Sequence, residues 1–345
     1  MLTLQRWIEF TLDIGCPNNC NYCPQKVFVK RYFENDKSRK PSMNLEDFKA
    51  ILKNIPKDVD VDFAGFGEPC INPDLFGMME HAIHEGYRVH IYTTLRGLSR
   101  EQILKLKSIP LTSCVIHLPD RDGLIKLDVD DEYLKNLALF DSLCIPGTEY
   151  MVIGRIHEEI PKIVNAPIKE DMIASRAENL DREKVSEHAE FSCKQKVKID
   201  KNKKLICGRR FHNTTTNARP TCAEVTVVLP DGTLLPCCMD WGLKHPLGNL
   251  YAQKYEDIMN GAVMRRFEGA MMCKNQEDII CRSCEWSVEW DKRKWSNFKK
   301  SGRYCLSDGY DGELGFFARM FSLRNAKDKK HKILYLFGLK FKFKR

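Results

Sequence analysis

Three cysteines fall within eight residues, Cys16-Pro-Asn-Asn-Cys20-Asn-Tyr-Cys23, directly after an apolar, β-branched stretch. Thiolates at C-x3-C-x2-C spacing suit an iron-sulfur site, and a cuboidal four-iron, four-sulfide cluster normally takes four of them. Three local cysteines leave one iron for an outside ligand, which is a place for chemistry. Zinc binding and a disulfide framework are the rival uses of such a run. Zinc asks for a fourth ligand and usually for paired C-x2-C elements, and no fourth ligand stands nearby in the chain.

Cys222, Cys237 and the pair Cys281-Arg-Ser-Cys284 make a second constellation, with nine residues between Cys222 and Gly232 and four between Gly232 and Cys237. Four thiolates suffice for a complete cluster without an open iron. They equally describe a zinc ribbon, which spacing alone does not exclude. Cys193, Cys207, Cys273 and Cys305 are alternative members of the set. Cys238 is a spare thiol beside Cys237, either a hydrogen-atom donor near a substrate or a small buried residue.

These cysteines need a scaffold. Trp7 to Gly15 alternates apolar and polar residues as a strand does, and feeds the first cysteine loop. Helices follow from Ser42 or Asn44 to about Asn54, from about Asp74 to Glu85, from Ser99 to Lys107 and from Asp130 to Phe140. Strands alternate with them at Asp58 to Gly65, Tyr87 to Thr94, Thr112 to Leu118 and Glu149 to Ile153. That alternation implies a parallel sheet with right-handed crossovers. Between Lys162 and Lys204 the pattern gives way to charge, as in a linker and surface helix. From Val225 to Cys237, two β-like runs flank the turn Pro230-Asp-Gly-Thr233, as in a hairpin.

Ligands of open parallel sheets bind at the carboxyl ends of the strands. Gly65-Phe-Gly67-Glu68-Pro69 stands at such an end, as do Thr93, Thr94 and Gly97 after the next strand. His117, Asp120 and Arg121 end the fourth strand, and Arg155 the fifth. In a barrel these are active-site positions, able to orient a polar substrate or take a proton; a polar side chain simply facing solvent explains each about equally well.

The chain has 345 residues, room for about two domains. Fifteen cysteines without a signal-peptide pattern indicate a reducing compartment, the cytoplasm. No apolar run approaches the ~20 residues of a membrane-spanning helix. The formal charge of +8 resides in the tail, where Arg324 to Arg345 holds nine Lys or Arg and one acid. A neutral body argues against a nucleic-acid partner. The tail mixes aromatics with lysines and suits peripheral contact with an anionic membrane, or a solvated end.

The first triad and Gly65-Phe-Gly67-Glu68-Pro69 together resemble the radical S-adenosylmethionine (radical SAM) superfamily, with Phe66 departing from its Gly-Gly-Glu-Pro motif. The second constellation resembles the C-terminal extension called SPASM, or its shorter single-cluster form called twitch. The full SPASM pattern would continue with two more cysteines where Trp290 and Lys294 stand, which favours the twitch form. The resemblance implies an α/β fold, a partial (β/α)6 barrel over residues 1–200, a small β-hairpin/helix iron-sulfur domain over 201–305 and a basic tail over 306–345.

It further implies that Cys16, Cys20 and Cys23 hold a 4Fe-4S cluster whose open iron chelates SAM, and that Cys222, Cys237, Cys281 and Cys284 hold one auxiliary cluster. Gly65, Gly67, Glu68 and Pro69 would hold the SAM amino group, Thr93 and Thr94 its ribose and carboxylate, and Tyr22 would lie near the adenine. The family chemistry is reductive cleavage of SAM to a 5'-deoxyadenosyl radical that abstracts hydrogen from a substrate, with a flavodoxin or ferredoxin as electron donor. The lone auxiliary cluster and a loose likeness of the tail to enzymes of polysaccharide synthesis point to oxidation of a sugar or aminosugar alcohol. Cys238, His117, Asp120 and Arg155 are the catalytic candidates. Radical epimerisation with a cysteine hydrogen donor and peptide maturation are the alternatives.

Overall fold

The computed structural model describes residues 6–171, 199–207, 225–284, 286–290, 321–325, 331–336 and 339–344. The chain divides into two compact units, Met1–Glu289 and Trp290–Arg345. In the first, β1 (Arg6–Phe10), β2 (Val59–Phe63), β3 (Val89–Thr93), β4 (Ser113–Leu118), β5 (Thr148–Ile153) and β6 (Ile168–Asp171) pair in that order, all parallel. The fold is α/β with a mostly parallel sheet.

Local sequence explains the crossovers. Helices α1 (Gln25–Glu34) and α2 (Leu45–Leu52) link β1 to β2, then α3 (Leu75–His84), α4 (Arg100–Leu106) and α5 (Asp131–Ser142) follow one per strand. Asn44 opens α2 with a capping box closed by Asp47, and Ser99 does the same for α4 with Gln102. Each box satisfies orphan N–H groups at a helix start. Asp130 caps α5 through the Tyr133 N–H.

Strand residues alternate between two faces. Ile8, Phe10, Val59, Val61, Phe63, Val89, Ile91, Cys114 and Ile116 pack with helix residues such as Phe48, Met78 and Leu137 in the main core. The intervening residues therefore face the opposite, concave side of the sheet. That side carries Glu9, Asp60, Asp62, His90 and His117, all buried.

The hairpin does not stand apart from the sheet. Strand β8 (Val225–Val228) pairs in parallel with β1 on the edge opposite β2, and β9 (Thr233–Leu235) and β10 (Gly248–Asn249) extend the order outward to nine strands. Strands β7 (Leu205–Cys207) and β11 (Ser287–Glu289) form a separate antiparallel pair in which Cys207 lies opposite Ser287. Helices α6 (Tyr255–Met259) and α7 (Ala262–Met271) lie between β10 and β11 in the chain.

In the second unit β12 (Phe321–Asn325), β13 (His331–Leu336) and β14 (Leu339–Lys344) form an antiparallel sheet. Much of the segment read above as a basic tail is thus paired strand. The alternation Leu339-Lys-Phe-Lys-Phe-Lys344 has the period of two that a strand requires. No helix among the described residues is long and apolar enough to cross a membrane.

Candidate active site

Strand β1 delivers the first cysteine loop to the carboxyl end of the sheet. Cys16, Cys20 and Cys23 are each partly buried, and none is in a disulfide. Two backbone bonds dock their loop on the segment after β4: Asn21 N–H donates to the Leu124 carbonyl at 2.7 Å, and Lys126 N–H to the Asn18 carbonyl at 2.9 Å. Burial pushes the Cys16 thiol up to about 11. A hydrogen bond with Cys23, then burial, pushes Cys20 far up. Crowded thiols are stable as thiolates only around a cation, and a bound metal inverts the local preference. No group of three or more His, Cys, Asp or Glu among the described residues is arranged to hold a single metal ion. The donor set, three mutually interacting thiols with open chain around them, fits a larger centre.

Glu68 is the hub behind that loop. It is 4 % exposed, and its carboxylate accepts from protein donors on every side. Oε1 takes the Thr93 hydroxyl and the Cys70 N–H at 3.1 Å. Oε2 takes the Thr94 N–H at 2.8 Å, the Thr94 hydroxyl at 2.6 Å and the Asn18 amide at 3.4 Å. A carboxylate has about four lone-pair sites, so Glu68 is saturated by its own chain. Thr93 and Thr94, the residues expected at SAM ribose and carboxylate, donate their hydroxyls inward to Glu68.

The motif glycines are explained by the close approach of the segment after β1. Gly65 has φ +75°, and a Cβ there would lie 2.3 Å from Thr11 Oγ1; the Phe66 N–H donates to that same oxygen at 3.0 Å. At Gly67 a Cβ would meet the Asp13 carbonyl at 3.1 Å. Both positions let the segment after β1 close on the motif. Pro69 opens a short 3-10 turn, Pro69–Ile71. Arg96 completes the clasp, donating to the carbonyls of Pro17 and Lys126.

Gln25, absent from the sequence reading, stands at the junction of triad and motif. Its amide N–H donates to the Phe66 carbonyl, while its own carbonyl oxygen is buried without a partner. This acceptor fits a ligand that brings N–H donors.

Tyr22 is buried against Leu124, Ile125 and Ile153, and its hydroxyl lies 3.4 Å from His117 Nε2. His117 faces the concave side with Tyr92, their rings 5.6 Å apart and edge-on. Glu9 and Asp62 lie opposite each other across the β1–β2 register and are both buried. Sheets buried on both faces ordinarily read as apolar runs, so the alternation in Asp58-Val-Asp-Val-Asp62 was the sequence sign of a polar concave face.

Asp120 and Arg155 are engaged elsewhere. The Asp120 carboxylate accepts the N–H groups of Asp122, Leu124 and Ile125, each at 2.9 Å, and so shapes the loop that holds the cysteine segment. Arg155 pairs with Asp122. Cys238 lies in an apolar cluster with Phe28, Phe66 and Trp241. Cys237, Cys281 and Cys284 pack against or within the main core. Cys222, Cys193 and Cys305 lie outside the described residues.

The radical SAM superfamily model matches residues 14–120, from the residue before Gly15 through Asp120. The SPASM model, an iron-sulfur cluster-binding domain, matches residues 222–285 and so spans all four cysteines of the second set. The chain carries a radical SAM domain followed by a SPASM-type iron-sulfur domain. Its cofactors are accordingly a 4Fe-4S cluster, SAM and an auxiliary iron-sulfur centre.

Solved structures share the fold of this radical SAM chain at low identity. BtrN in complex with AdoMet and 2-DOIA aligns with a TM-score of 0.51 and 16% identity, over 83% of this chain and 94% of that one. SuiB of Streptococcus suis bound to S-adenosylmethionine aligns at 0.53 and 13%, over 89% and 77%. anSMEcpe with bound AdoMet and Cp18Cys peptide aligns at 0.52 and 13%, over 81% and 86%.

Proposed function

We propose that this radical SAM enzyme oxidises an alcohol carbon of a small polar molecule, a sugar or aminosugar, with a single auxiliary cluster of the twitch kind. The observation that carries the reading is the concave face beside the triad, where Glu9, Asp62, Tyr92 and His117 offer acceptors and donors to a hydroxyl- or amino-bearing substrate. The likeness to BtrN in complex with AdoMet and 2-DOIA, over 94% of that chain, supports a small-molecule substrate.

Cys16, Cys20 and Cys23 would hold the first cluster, and Cys222, Cys237, Cys281 and Cys284 the second. When bound, these centres and SAM supply hydrogen abstraction from an unactivated C–H bond and a one-electron sink. The protein does the rest. Glu68, through Thr93, Thr94 and Asn18, fixes the motif against the cysteine loop, and Gln25 offers the SAM ammonium an acceptor. His117, oriented by Tyr22 and Tyr92, takes the hydroxyl proton of the substrate. Arg155, held by Asp122, borders the substrate mouth. An acidic flavodoxin or ferredoxin is the electron donor, and the cationic second unit rests on an anionic membrane surface at the cytoplasmic face.

The test is turnover of candidate aminosugars with SAM and reductant in heavy water. Ketone formed in step with 5'-deoxyadenosine supports oxidation. Deuterium at the reacting carbon of recovered alcohol would instead establish epimerisation.

A further inference from the structure

Helix α1 begins two residues after Cys23, and its exposed side is basic. From Gln25 to Lys40 the chain holds six Lys or Arg and two acids. The acids in and around this segment are already engaged: Glu34 pairs with Arg31, Asp231 with Arg39 and Asp47 with Lys40, while Asp36 accepts from Ser38. Lys26, Lys30 and Lys37 are exposed and have no carboxylate at ion-pair distance among the described residues. Lys26 and Lys30, four apart, share one face of the helix.

Arg31, next to Lys30, lines a cavity of about 470 Å³ between α1 and the loop after β9. Arg39 and Lys244 line it too, with Leu235, Gly242 and Leu243. Arg39 lies over the Tyr32 ring, its Cζ 3.9 Å from the centroid. Lys244 is exposed on the loop side.

Packed protein joins that wall to the first cysteine loop. Trp241, directly before Gly242, is buried against Phe66 and Phe28, with ring centroids at 4.6 and 5.9 Å, and Phe28 meets Phe66 at 4.7 Å. Cys23 packs against this same cluster. Electron tunnelling weakens steeply with distance and passes better through packed atoms than across a solvent gap. The face that presents the exposed cations is thus also one from which an electron can reach the triad. A surface field of one sign speeds and orients the encounter with a partner of the other sign.

We propose that α1 and the loop over residues 242–246 dock an acidic one-electron carrier protein. The proposal rests on the reading that Cys16, Cys20 and Cys23 hold a cluster and that a carrier protein reduces it. On docking, one electron leaves the reduced carrier, which is oxidised, and enters the centre at the triad, which is reduced. No bond is made or broken.

The experiment uses the full chain, reconstituted anaerobically, and follows 5'-deoxyadenosine formed from SAM with limiting reduced flavodoxin, limiting reduced ferredoxin, or dithionite as reductant. The parent is compared with Lys26→Glu/Lys30→Glu/Lys37→Glu and with the same three positions changed to Gln. The expected result for the Glu variant is a carrier-driven rate lower by about tenfold or more, with a smaller fall for the Gln variant and parent rates for both with dithionite. Raising the salt should slow the parent's carrier-driven rate and leave that of the Glu variant nearly flat. Carrier-driven rates equal in all three proteins, or an equal fall with dithionite, overturn the assignment. A parent that dithionite activates and neither carrier does also overturns it. Unchanged carrier kinetics with binding to phosphatidylserine vesicles lost would give the lysines to a membrane surface instead. A parent free of iron refutes the ligand reading itself.

Discussion

Glu68 and Thr94 are joined twice through one oxygen: Oε2 accepts both the Thr94 backbone N–H, at 2.8 Å, and its hydroxyl, at 2.6 Å. The same oxygen is reached from the cysteine loop by Asn18. Three segments distant in sequence therefore meet at one carboxylate, at the carboxyl end of the sheet.

Glu68→Gln replaces a saturated buried acceptor with an amide whose N–H2 faces donors. The expected cost is about 2–3 kcal/mol of stability, seen as a lower denaturant midpoint at unchanged slope. Gln25→Leu leaves the Glu68 bonds intact and removes both the unpartnered acceptor and the donor to the Phe66 carbonyl. It should weaken SAM binding about tenfold, equivalent to about 1.4 kcal/mol, with a loss of stability of about 1 kcal/mol, smaller than that of Glu68→Gln. Equilibrium SAM binding and urea denaturation on the two variants separate the roles.

Gly65→Ala combines positive φ with a 2.3 Å approach to Thr11 Oγ1. Destabilisation should exceed the ~1–3 kcal/mol of backbone strain alone. Adding Thr11→Ala removes the oxygen and should recover part of the loss, a favourable coupling in a double-mutant cycle. Simple additivity would contradict the packing account.

Asp120 and His117 lie near the same strand end yet do different work. Asp120→Ala strips three backbone N–H groups of their acceptor, which predicts lower thermal stability and poorer iron retention in the first cluster. His117→Ala should cost less stability and less iron than Asp120→Ala, and lower kcat by roughly 10²-fold, the usual contribution of a general base. Thermal melts, iron content and turnover measured together distinguish them.

Changing Lys340, Lys342 and Lys344 to Gln should weaken co-sedimentation with phosphatidylserine vesicles by about 1 kcal/mol per residue. Binding unchanged by these substitutions, or absent in the parent, would remove the membrane-surface proposal.

Much of this architecture was legible in the chain. Helices α2 and α4 announce themselves through capping residues, Asn44 with Asp47 and Ser99 with Gln102. Helix α1 escaped because it begins after Pro24 with no side-chain cap, hidden by the cysteine motif before it. The Glu68 hub was invisible for another reason: its donors Asn18 and Thr94 lie 50 and 26 residues away, and no local pattern encodes such bonds. Pairing of the hairpin strand Val225–Val228 with β1 is likewise a long-range contact. In the terminal segment the period of two is present, but its alternate positions are lysines, a composition shared with solvated basic tails.

The most direct test of the account is the iron and sulfide content of three anaerobically reconstituted proteins: the wild type, the Cys16, Cys20 and Cys23 triple alanine variant, and Cys281→Ala/Cys284→Ala. The account predicts about eight irons in the first and about four in each of the others, with distinct reduced EPR spectra for the two variants. About four irons in the wild type, with zinc and no iron in the triple variant, would contradict it.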